Sequence, residues 1–220
     1  MARPDVSFCD NILLGSQARL PTRYGNFRIH AFVCPVSGEE HVALVKGHVA
    51  GKEDVLVRLH SECMTGDVFG SERCDCGHQL DAALRKIGRA KQGVLVYLAQ
   101  EGRGIGIANK VAAYHLQDQG LDTVDANRAL GFPADLRSYA CAACIVRVLG
   151  VESVELMTNN PTKIEELRTR GVKVSRRIPL QVPATADNVG YLRTKKERLR
   201  HILKTPRIQE SRPRQRPGPR

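Results

Sequence analysis

The chain has 220 residues with a hydrophobic content of 42%, enough to bury one large core or two small ones. It has no apolar run of about eighteen residues, which argues against a transmembrane helix, and its seven cysteines, an odd number, favour a reducing compartment over a disulfide framework. The formal net charge of +11 is typical of a protein that handles nucleic acid or another polyanion.

The first part of the chain, residues 18–60, is rich in predicted strands. Polar and apolar residues alternate over 27–32, and short apolar runs bounded by glycine or charged residues occupy 42–46 and 55–59. We expect these strands to form an antiparallel meander. We see no signal peptide at the start of the chain, so we expect a cytoplasmic protein.

Three cysteines follow the last of these strands, at Cys63, Cys74 and Cys76. Three thiolates on one tetrahedral Zn²⁺ leave a fourth position for water, as in catalytic zinc sites. A structural zinc ribbon would need a second Cys-x-x-Cys pair downstream, and none is suitably placed. Two alternatives stay open, namely reduced buried cysteines and a closed site with His60 or His78 as the fourth ligand.

After the cysteines the apolar spacing changes. Apolar residues over 80–87 recur every three or four positions, which predicts a helix, and the apolar run 93–98 predicts a buried strand. The glycine-rich segment 101–106 then opens another helix. Its backbone N–H groups and Arg103 suit an anion, although a simple tight turn is the alternative.

The second half of the chain alternates helices and strands, which predicts a mixed α/β fold in a single compact domain behind the β-rich N-terminal region. The predicted elements are helices over 108–119, 136–149, 162–170 and 191–203 and strands over 153–157 and 172–175. The first two of these helices stop before a glycine, Gly120 and Gly150, the residue that favours a left-handed helix end.

Two polar pairs stand between these elements. Thr158 and Lys163 flank a strand-to-helix turn where a hydroxyl and an ammonium suit a phosphate or a base edge, and a well-capped turn is the alternative. Asp135 and Arg137 lie at a predicted helix start. They form either a helix cap with a solvated arginine or a carboxylate–guanidinium pair directed into a cleft.

Two other features resemble functional motifs less convincingly. Cys141-x-x-Cys144 lies within a predicted helix without glycine or proline, where cysteine behaves as a small apolar residue, so we interpret it as packing. Residues 205–220 carry five arginines and one glutamate among prolines and glutamines, so we expect a disordered basic tail.

Together these motifs resemble the family of GTP cyclohydrolase II. The resemblance runs from Leu20 to Leu203 and is specific because several independent motifs occur in one order. The matching segments are 60–67, 73–80, 100–106, 117–127, 131–137 and 156–163. It implies a catalytic domain over 18–204, preceded by an N-terminal extension over 1–17.

The family removes C8 of the guanine ring of GTP as formate and releases pyrophosphate, giving 2,5-diamino-6-ribosylamino-4(3H)-pyrimidinone 5′-phosphate for riboflavin synthesis. The resemblance implies one Zn²⁺ per chain on Cys63, Cys74 and Cys76, supplying the water that attacks C8. Mg²⁺ would accompany the triphosphate. Family members are commonly homodimers, and neither a membrane nor a nucleic acid is an expected partner.

Matching positions imply roles for further residues. Tyr114 is the implied proton donor near the ring, Asp135 the implied proton acceptor and Arg137 the implied nucleophile at the α-phosphorus. Because a guanidinium stays protonated, elementary chemistry favours Arg137 as a stabiliser of phosphate charge instead. The implied GTP-binding residues are Arg58, Leu59, His60, Ser61, Glu62, Gln79, Glu101, Gly102, Arg103, Thr123, Thr158 and Lys163.

The sequence departs from the family pattern at two positions. Ala99 stands where an arginine often precedes the Gln-Glu-Gly-Arg motif, and Ser138 where an aspartate often follows Arg137. One alternative function is that of relatives that retain the formyl group on the pyrimidine and serve secondary metabolism. Tyr97 is the residue of interest for that alternative. A zinc-stabilised nucleic-acid-binding protein is the other. We expect no dihydroxybutanone-phosphate synthase domain ahead of the match.

Overall fold

Strands of four to ten residues form one mixed sheet in a computed structural model that describes residues 12–204. Within that range the strands are β1 (Leu13–Thr22), β2 (Gly25–Val33), β3 (Glu40–Lys46), β4 (Val55–Ser61), β5 (Gly93–Leu98), β6 (Val154–Met157) and β7 (Val174–Ile178). The helices are α1 (Met64–Asp67), α2 (Cys76–Arg89), α3 (Glu101–Gly104), α4 (Gly106–Asp118), α5 (Thr123–Ala129), α6 (Ala140–Val148), α7 (Pro161–Thr169) and α8 (Val189–Glu197).

The sheet combines an antiparallel half with a parallel half, in the order β1-β2-β3-β5-β4-β6-β7. The predicted meander is wrong in its last strand, because β4 lies between β5 and β6 and runs parallel to both. The reason is visible in its burial. Residues 57–60 of β4 are all buried, whereas β3 alternates, and strands covered on both faces belong in the parallel centre of a sheet.

The core lies on both faces of the sheet, as the alternation along β5 illustrates. Val94, Val96 and Leu98 pack in one cluster with residues of α6 and α7. Leu95 packs on the other face with Ile87 of α2. Each fully buried side chain of this size contributes about 1.5–3 kcal/mol, so β5 is held firmly between two layers of helices.

Most predicted elements are present with small shifts in their ends. β5 confirms the strand over 93–98, and α7 and β6 lie within a residue or two of their predictions. The helix predicted over 136–149 is wrong in its first turn, because α6 begins at Ala140. Instead of capping a helix, the Asp135 carboxylate accepts a hydrogen bond from the backbone N–H of Arg137, a turn that competes with helix formation.

The remaining predictions for the ends of the chain have mixed outcomes. The last helix, α8, ends at Glu197 rather than near residue 203. β1 begins inside the predicted extension over 1–17, and the division into domains stays a prediction. The basic tail over 205–220 lies outside the described residues. Among residues 12–204, no helix combines the length and apolarity needed to cross a membrane.

The Cys141-x-x-Cys144 motif lies on α6, as expected. Cys144 is buried in the core cluster, and Cys141 packs partly buried against it. Neither cysteine belongs to a group of metal-ligating side chains, since the group found among residues 12–204 consists of Cys63, Cys74 and Cys76. The packing interpretation therefore fits the structure.

Candidate active site

The predicted site residues gather where the central parallel strands end. β4 ends at Ser61, β5 at Leu98 and β6 at Met157. Parallel strands place their carboxyl ends at one edge of a sheet, where α/β folds bind their ligands. That edge therefore collects the cysteine segment, the glycine-rich loop and the turn after β6.

Three cysteine sulfurs converge at this edge. Cys63 immediately precedes α1 and Cys76 begins α2, so the loop between them folds back and brings Cys74 alongside. The three Sγ atoms lie within 4.8 Å of one another, and those of Cys63 and Cys74 are 3.6 Å apart. Two sulfurs on a tetrahedral Zn²⁺ with bonds of about 2.3 Å lie about 3.8 Å apart, so the donor set and its spacing fit the ion.

The two neighbouring histidines have other partners. The Nε2 atom of His60 lies 3.0 Å from a carboxylate oxygen of Asp67, and that of His78 lies 3.0 Å from Glu72. The metal-type group formed by residues 12–204 contains neither histidine. The described residues therefore give no support to a closed site with a histidine as fourth ligand, and the geometry fits three protein ligands.

Two glycines allow the cysteine loop to pack this closely. A Cβ atom added at Gly66 would lie 3.0 Å from the sulfur of Cys74 and 3.3 Å from that of Cys63. A Cβ atom added at Gly77 would overlap with the carbonyl oxygen of Gly66. Gly77 is therefore restricted to glycine by the approach of α1 to the start of α2, and a side chain at Gly66 would crowd the cysteine sulfurs.

Gly77→Ala is expected to weaken zinc binding and to lower the melting temperature, because the new methyl group must push α1 away from α2. Overpacking of this kind costs about 1–3 kcal/mol. Thermal unfolding with and without zinc measures the effect. Gly190→Ala is the matched control, since its Cβ atom meets nothing within 4 Å. A Gly77→Ala protein that melts and binds zinc like the wild type would contradict this account.

A buried lysine of α4, Lys110, lies against the cysteine cluster. Its Nζ atom is 3.1 Å from the sulfur of Cys63 and 2.7 Å from a carboxylate oxygen of Glu101. The pKa of the Cys63 thiol lies below its ordinary value because Cys74 and Cys76 hydrogen-bond to its sulfur, with Lys110 adding to the effect. The ammonium thus offsets part of the negative charge that three thiolates bring together.

The glycine-rich loop is held to the cysteine segment through Glu101. Its carboxylate accepts hydrogen bonds from the backbone N–H groups of Met64 and Gly102, both at 2.6 Å. Arg103 adopts a left-handed backbone with φ of +62°, which costs a residue with a side chain about 1–3 kcal/mol. Its Nη2 atom is buried with no partner among the described residues. The loop therefore does more than reverse the chain, because its strained backbone at Arg103 places a guanidinium in the wall of the cleft.

One cleft joins the cysteine cluster to most of the predicted site residues. Of the predicted residues, those that line it are Ser61, Glu62, Cys63, Cys74, Cys76, Glu101, Gly102, Arg103, Tyr114, Thr123 and Arg137. A metal-type site and an arginine suited to phosphate therefore face the same space.

Tyr114 of α4 lies beside the cysteines in this cleft. Its hydroxyl is 3.1 Å from that of Thr65, and the guanidinium of Arg73 lies 4.9 Å from the centre of its ring. Burial raises the pKa of Tyr114. The phenol therefore keeps its proton at neutral pH and is able to donate it as a hydrogen bond.

Asp135 and Arg137 form a bidentate ion pair. The guanidinium donates to the two carboxylate oxygens at 2.9 and 2.6 Å. Burial alone would favour a neutral guanidine, but the ion pair with the Asp135 carboxylate opposes it, and the pKa of Arg137 lies above its ordinary value. Burial opposes ionisation of the Asp135 carboxyl as well, yet the neighbouring Arg137 guanidinium keeps the pKa of Asp135 below its ordinary value. Both side chains are therefore charged at neutral pH.

Five predicted GTP-binding residues form a layer that does not line the cleft. Arg58 donates to the side-chain oxygen of Gln79 at 2.6 Å, and the Lys163 ammonium donates to the carbonyl oxygen of Leu59 at 2.8 Å. The hydroxyl of Thr158 hydrogen-bonds within its own turn. All five are buried, and the side chain of Leu59 belongs to the core. Their contact with GTP stays a prediction.

The layer below the cleft carries excess positive charge. Burial first, and then the charges of Arg58, Arg137 and Lys195, hold the pKa of Lys163 well below its ordinary value. Cations packed this closely repel one another until an anion joins them. The charge of this region therefore suits a polyphosphate.

His60, the remaining predicted GTP-binding residue, supports the cysteine segment. It is buried, and its ring stacks on Tyr97 with centroids 5.5 Å apart. Tyr97 and the backbone N–H of Cys63 both donate to the carboxylate of Asp67, at 2.9 and 3.1 Å. The contacts of His60 and Tyr97 thus converge on the carboxylate that fixes the first cysteine.

Several residues of the site were not predicted from the sequence. Lys110, Asn127 and Tyr191 line the cleft, and Lys195 pairs with Asp75. Tyr191 and Lys195 are spaced by four on α8, so they share a helix face, which was the one available sign that they act together. Nothing in the local sequence indicates what that face contacts.

Comparison with known families gives one clear match. The family described as GTP cyclohydrolase II matches residues 14–179. These residues contain all three clustered cysteines, the glycine-rich loop, the Asp135–Arg137 pair and the turn after β6.

Curated relatives agree with this match. Riboflavin biosynthesis protein RibBA of Bacillus subtilis is 56% identical over 185 residues, covering 84% of this chain and 46% of the relative. The protein of the same name from Endomicrobium trichonymphae is 52% identical over 185 residues, with the same coverage. The chain thus spans about half the length of these relatives. A solved structure of RibBX, a two-domain 3,4-dihydroxy-2-butanone 4-phosphate synthase from A. baumannii, aligns with 70% of this chain and with 37% of the RibBX chain. The two share 21% sequence identity with a TM-score of 0.41, which is too low to support any inference.

Proposed function

The chain belongs to the GTP cyclohydrolase II family, and we propose that it hydrolyses GTP to formate, pyrophosphate and 2,5-diamino-6-ribosylamino-4(3H)-pyrimidinone 5′-phosphate for riboflavin synthesis. The observation that carries the proposal is that the cysteine cluster and Arg137 line one cleft. A nucleotide spans a purine and a phosphate chain, and this cleft offers separate chemistry for each end.

At the purine end, Cys63, Cys74 and Cys76 would hold the ion. A bound Zn²⁺ supplies a water made acidic enough to act as nucleophile near neutral pH, together with Lewis acidity. Tyr114 lines this part of the cleft and, since burial raises its pKa, would keep its proton and donate a hydrogen bond to the opening ring. Glu62 lines the same part of the cleft. Burial and then the neighbouring charges of Glu101 and Asp67 raise its pKa, which suits a group that exchanges protons.

At the phosphate end, Arg103 and Arg137 supply guanidinium groups. Arg103 carries a buried nitrogen without a partner, which an oxygen of the phosphate chain would satisfy. Arg137 is held charged by Asp135, so we assign it to stabilisation of the charge that develops as pyrophosphate leaves. The buried guanidinium of Arg58 adds positive potential to this region.

The proposal includes three properties that the resemblance implies. Mg²⁺ accompanies the triphosphate and neutralises part of its charge. The protein works as a homodimer in the cytoplasm, as is common for the family. The single group of three cysteines found among residues 12–204 supports the binding of one zinc ion per chain.

One assay tests the proposal. Zinc-loaded protein is incubated with GTP and Mg²⁺, and formate, pyrophosphate and the pyrimidine are quantified, with equal amounts of all three expected. A pyrimidine that retains the formyl group would identify the alternative activity. Intact GTP at full zinc occupancy would contradict the enzymatic function, and strong salt-dependent RNA binding would then favour the nucleic-acid alternative.

A further inference from the structure

The helix α8 lies outside the residues that the family match covers, yet it packs against the site. The match ends at residue 179, whereas α8 spans Val189–Glu197. Tyr191 of this helix lines the same cleft as the three cysteines. α8 therefore forms part of the wall of that cleft.

The first contribution is a buried ion pair with the cysteine loop. Asp75 stands between Cys74 and Cys76, and the Lys195 ammonium donates to its carboxylate at 2.7 Å. The side chain of Asp75 is only 3% exposed, and that of Lys195 12%. A carboxylate buried so deeply is strongly destabilised without a cation, so the position of the loop depends on Lys195.

The same carboxylate belongs to a chain of polar contacts. The side-chain amide of Gln79 donates to the other oxygen of Asp75. Gln79 in turn accepts from the guanidinium of Arg58 at 2.6 Å. Lys195 therefore supports a network that joins the cysteine loop to β4, and it does so from a helix far along the chain.

The second contribution is an aromatic support for the glycine-rich loop. The guanidinium carbon of Arg103 lies 5.8 Å from the centre of the Tyr191 ring, within the range of a cation–π contact. The ammonium of Lys195 lies 4.8 Å from the same ring. Since Arg103 has a nitrogen with no partner among the described residues, the ring of Tyr191 is one of the few groups that fix its direction.

The chain just after α8 holds the helix in place from the other side. Arg198 donates to Asp125 of α5 at 2.7 and 2.9 Å and also pairs with Asp122, which caps that helix. α5 begins with Thr123, which lines the cleft. Beyond this, the backbone N–H of Ile202 donates to the carbonyl oxygen of Asn159 at 2.8 Å.

We propose that α8 is a structural wall of the active site, in which Lys195 positions the cysteine loop through Asp75 and Tyr191 positions Arg103. Both are positioning residues, because each acts through another side chain. The role of Tyr191 rests on the proposed function. The role of Lys195 rests only on the fit of the cysteines to a metal ion.

The Lys195 role is tested by zinc affinity, measured by competition with a chromophoric chelator. Lys195→Gln is expected to weaken zinc binding by roughly tenfold or more, as loss of a partner outside the ligand set does elsewhere. Arg193→Gln, at an exposed position of the same helix, is the matched control and should bind zinc like the wild type.

A double-mutant cycle then asks whether Lys195 acts through Asp75. In Lys195→Gln combined with Asp75→Asn, no charge is left unpaired, so the loss of affinity is expected to be smaller than the product of the two single losses. Wild-type affinity in Lys195→Gln, or losses that simply multiply, would overturn this role. The cycle needs no turnover, so it stands even if GTP proves not to be a substrate.

The Tyr191 role is tested by steady-state kinetics with GTP. Tyr191→Leu is expected to raise KM about fivefold with a smaller change in kcat, since a cation–π contact is lost while the chemistry is untouched. Tyr191→Phe keeps the ring and should restore the wild-type KM. Equal KM values for the leucine variant and the wild type, or a phenylalanine variant as impaired as the leucine one, would overturn the assignment. Tyr191 is partly exposed, so these variants remain measurable even if Lys195→Gln does not fold.

Discussion

Cys74→Ser is expected to abolish zinc binding and formate release together. A serine hydroxyl stays protonated at neutral pH and is a poor ligand for zinc beside two thiolates. The metal-ligating group found among residues 12–204 consists of the three cysteines alone, so none of the described side chains stands beside them to replace Cys74. Metal-assisted hydrolysis draws several kcal/mol from the ion, so the rate should fall by about a thousandfold or more.

The measurement pairs elemental analysis of bound zinc with an assay for formate. Cys141→Ser is the matched control, because it makes the same substitution at a cysteine of α6 that packs partly buried against the core. It should keep its zinc and its activity. Formate release at the wild-type rate by a zinc-free Cys74→Ser protein would show that the ion has no catalytic role.

The parts of the fold that follow from local patterns were predictable. β5 was predicted to the residue because six consecutive apolar residues leave a central strand as the simplest solution. The position of β4 within the sheet was not predictable, because the strands beside it come from residues far along the chain. β4 pairs with β6 nearly one hundred residues later, and local alternation does not encode such a partner.

The same distinction applies to the site. The three cysteines were identifiable because they lie close together in the sequence and share one chemistry. Lys195 and Tyr191 were not identifiable, because each acts on a loop to which it is connected only by packing. A lysine in a charged helix looks solvated until the buried Asp75 is seen beside it.

Arg137→Gln is expected to slow pyrophosphate release by about 10²- to 10³-fold, the usual loss when one donor to a developing negative charge is removed. Glutamine retains a hydrogen-bond donor but loses the charge. Arg89→Gln, at the exposed end of α2, is the control and should be unaffected. Release is followed with a coupled pyrophosphate assay, and wild-type release by Arg137→Gln would contradict a role for this residue.

The ion pair between Asp135 and Arg137 favours Arg137 as a stabiliser of phosphate charge over Arg137 as a covalent nucleophile. An arginine attacks phosphorus only after losing its proton. Burial favours that loss, but the Asp135 carboxylate binds two of the guanidinium nitrogens, and the pKa of Arg137 lies above its ordinary value. Rapid quenching followed by peptide mass spectrometry should therefore find no nucleotide on Arg137 during turnover. A nucleotidyl adduct there would require the pair with Asp135 to open first. In a covalent mechanism Asp135 would accept the proton of Arg137, so Asp135→Asn would abolish the adduct. A stabilising role instead predicts no adduct in either protein and slower pyrophosphate release in the variant, because it leaves Arg137 less firmly placed.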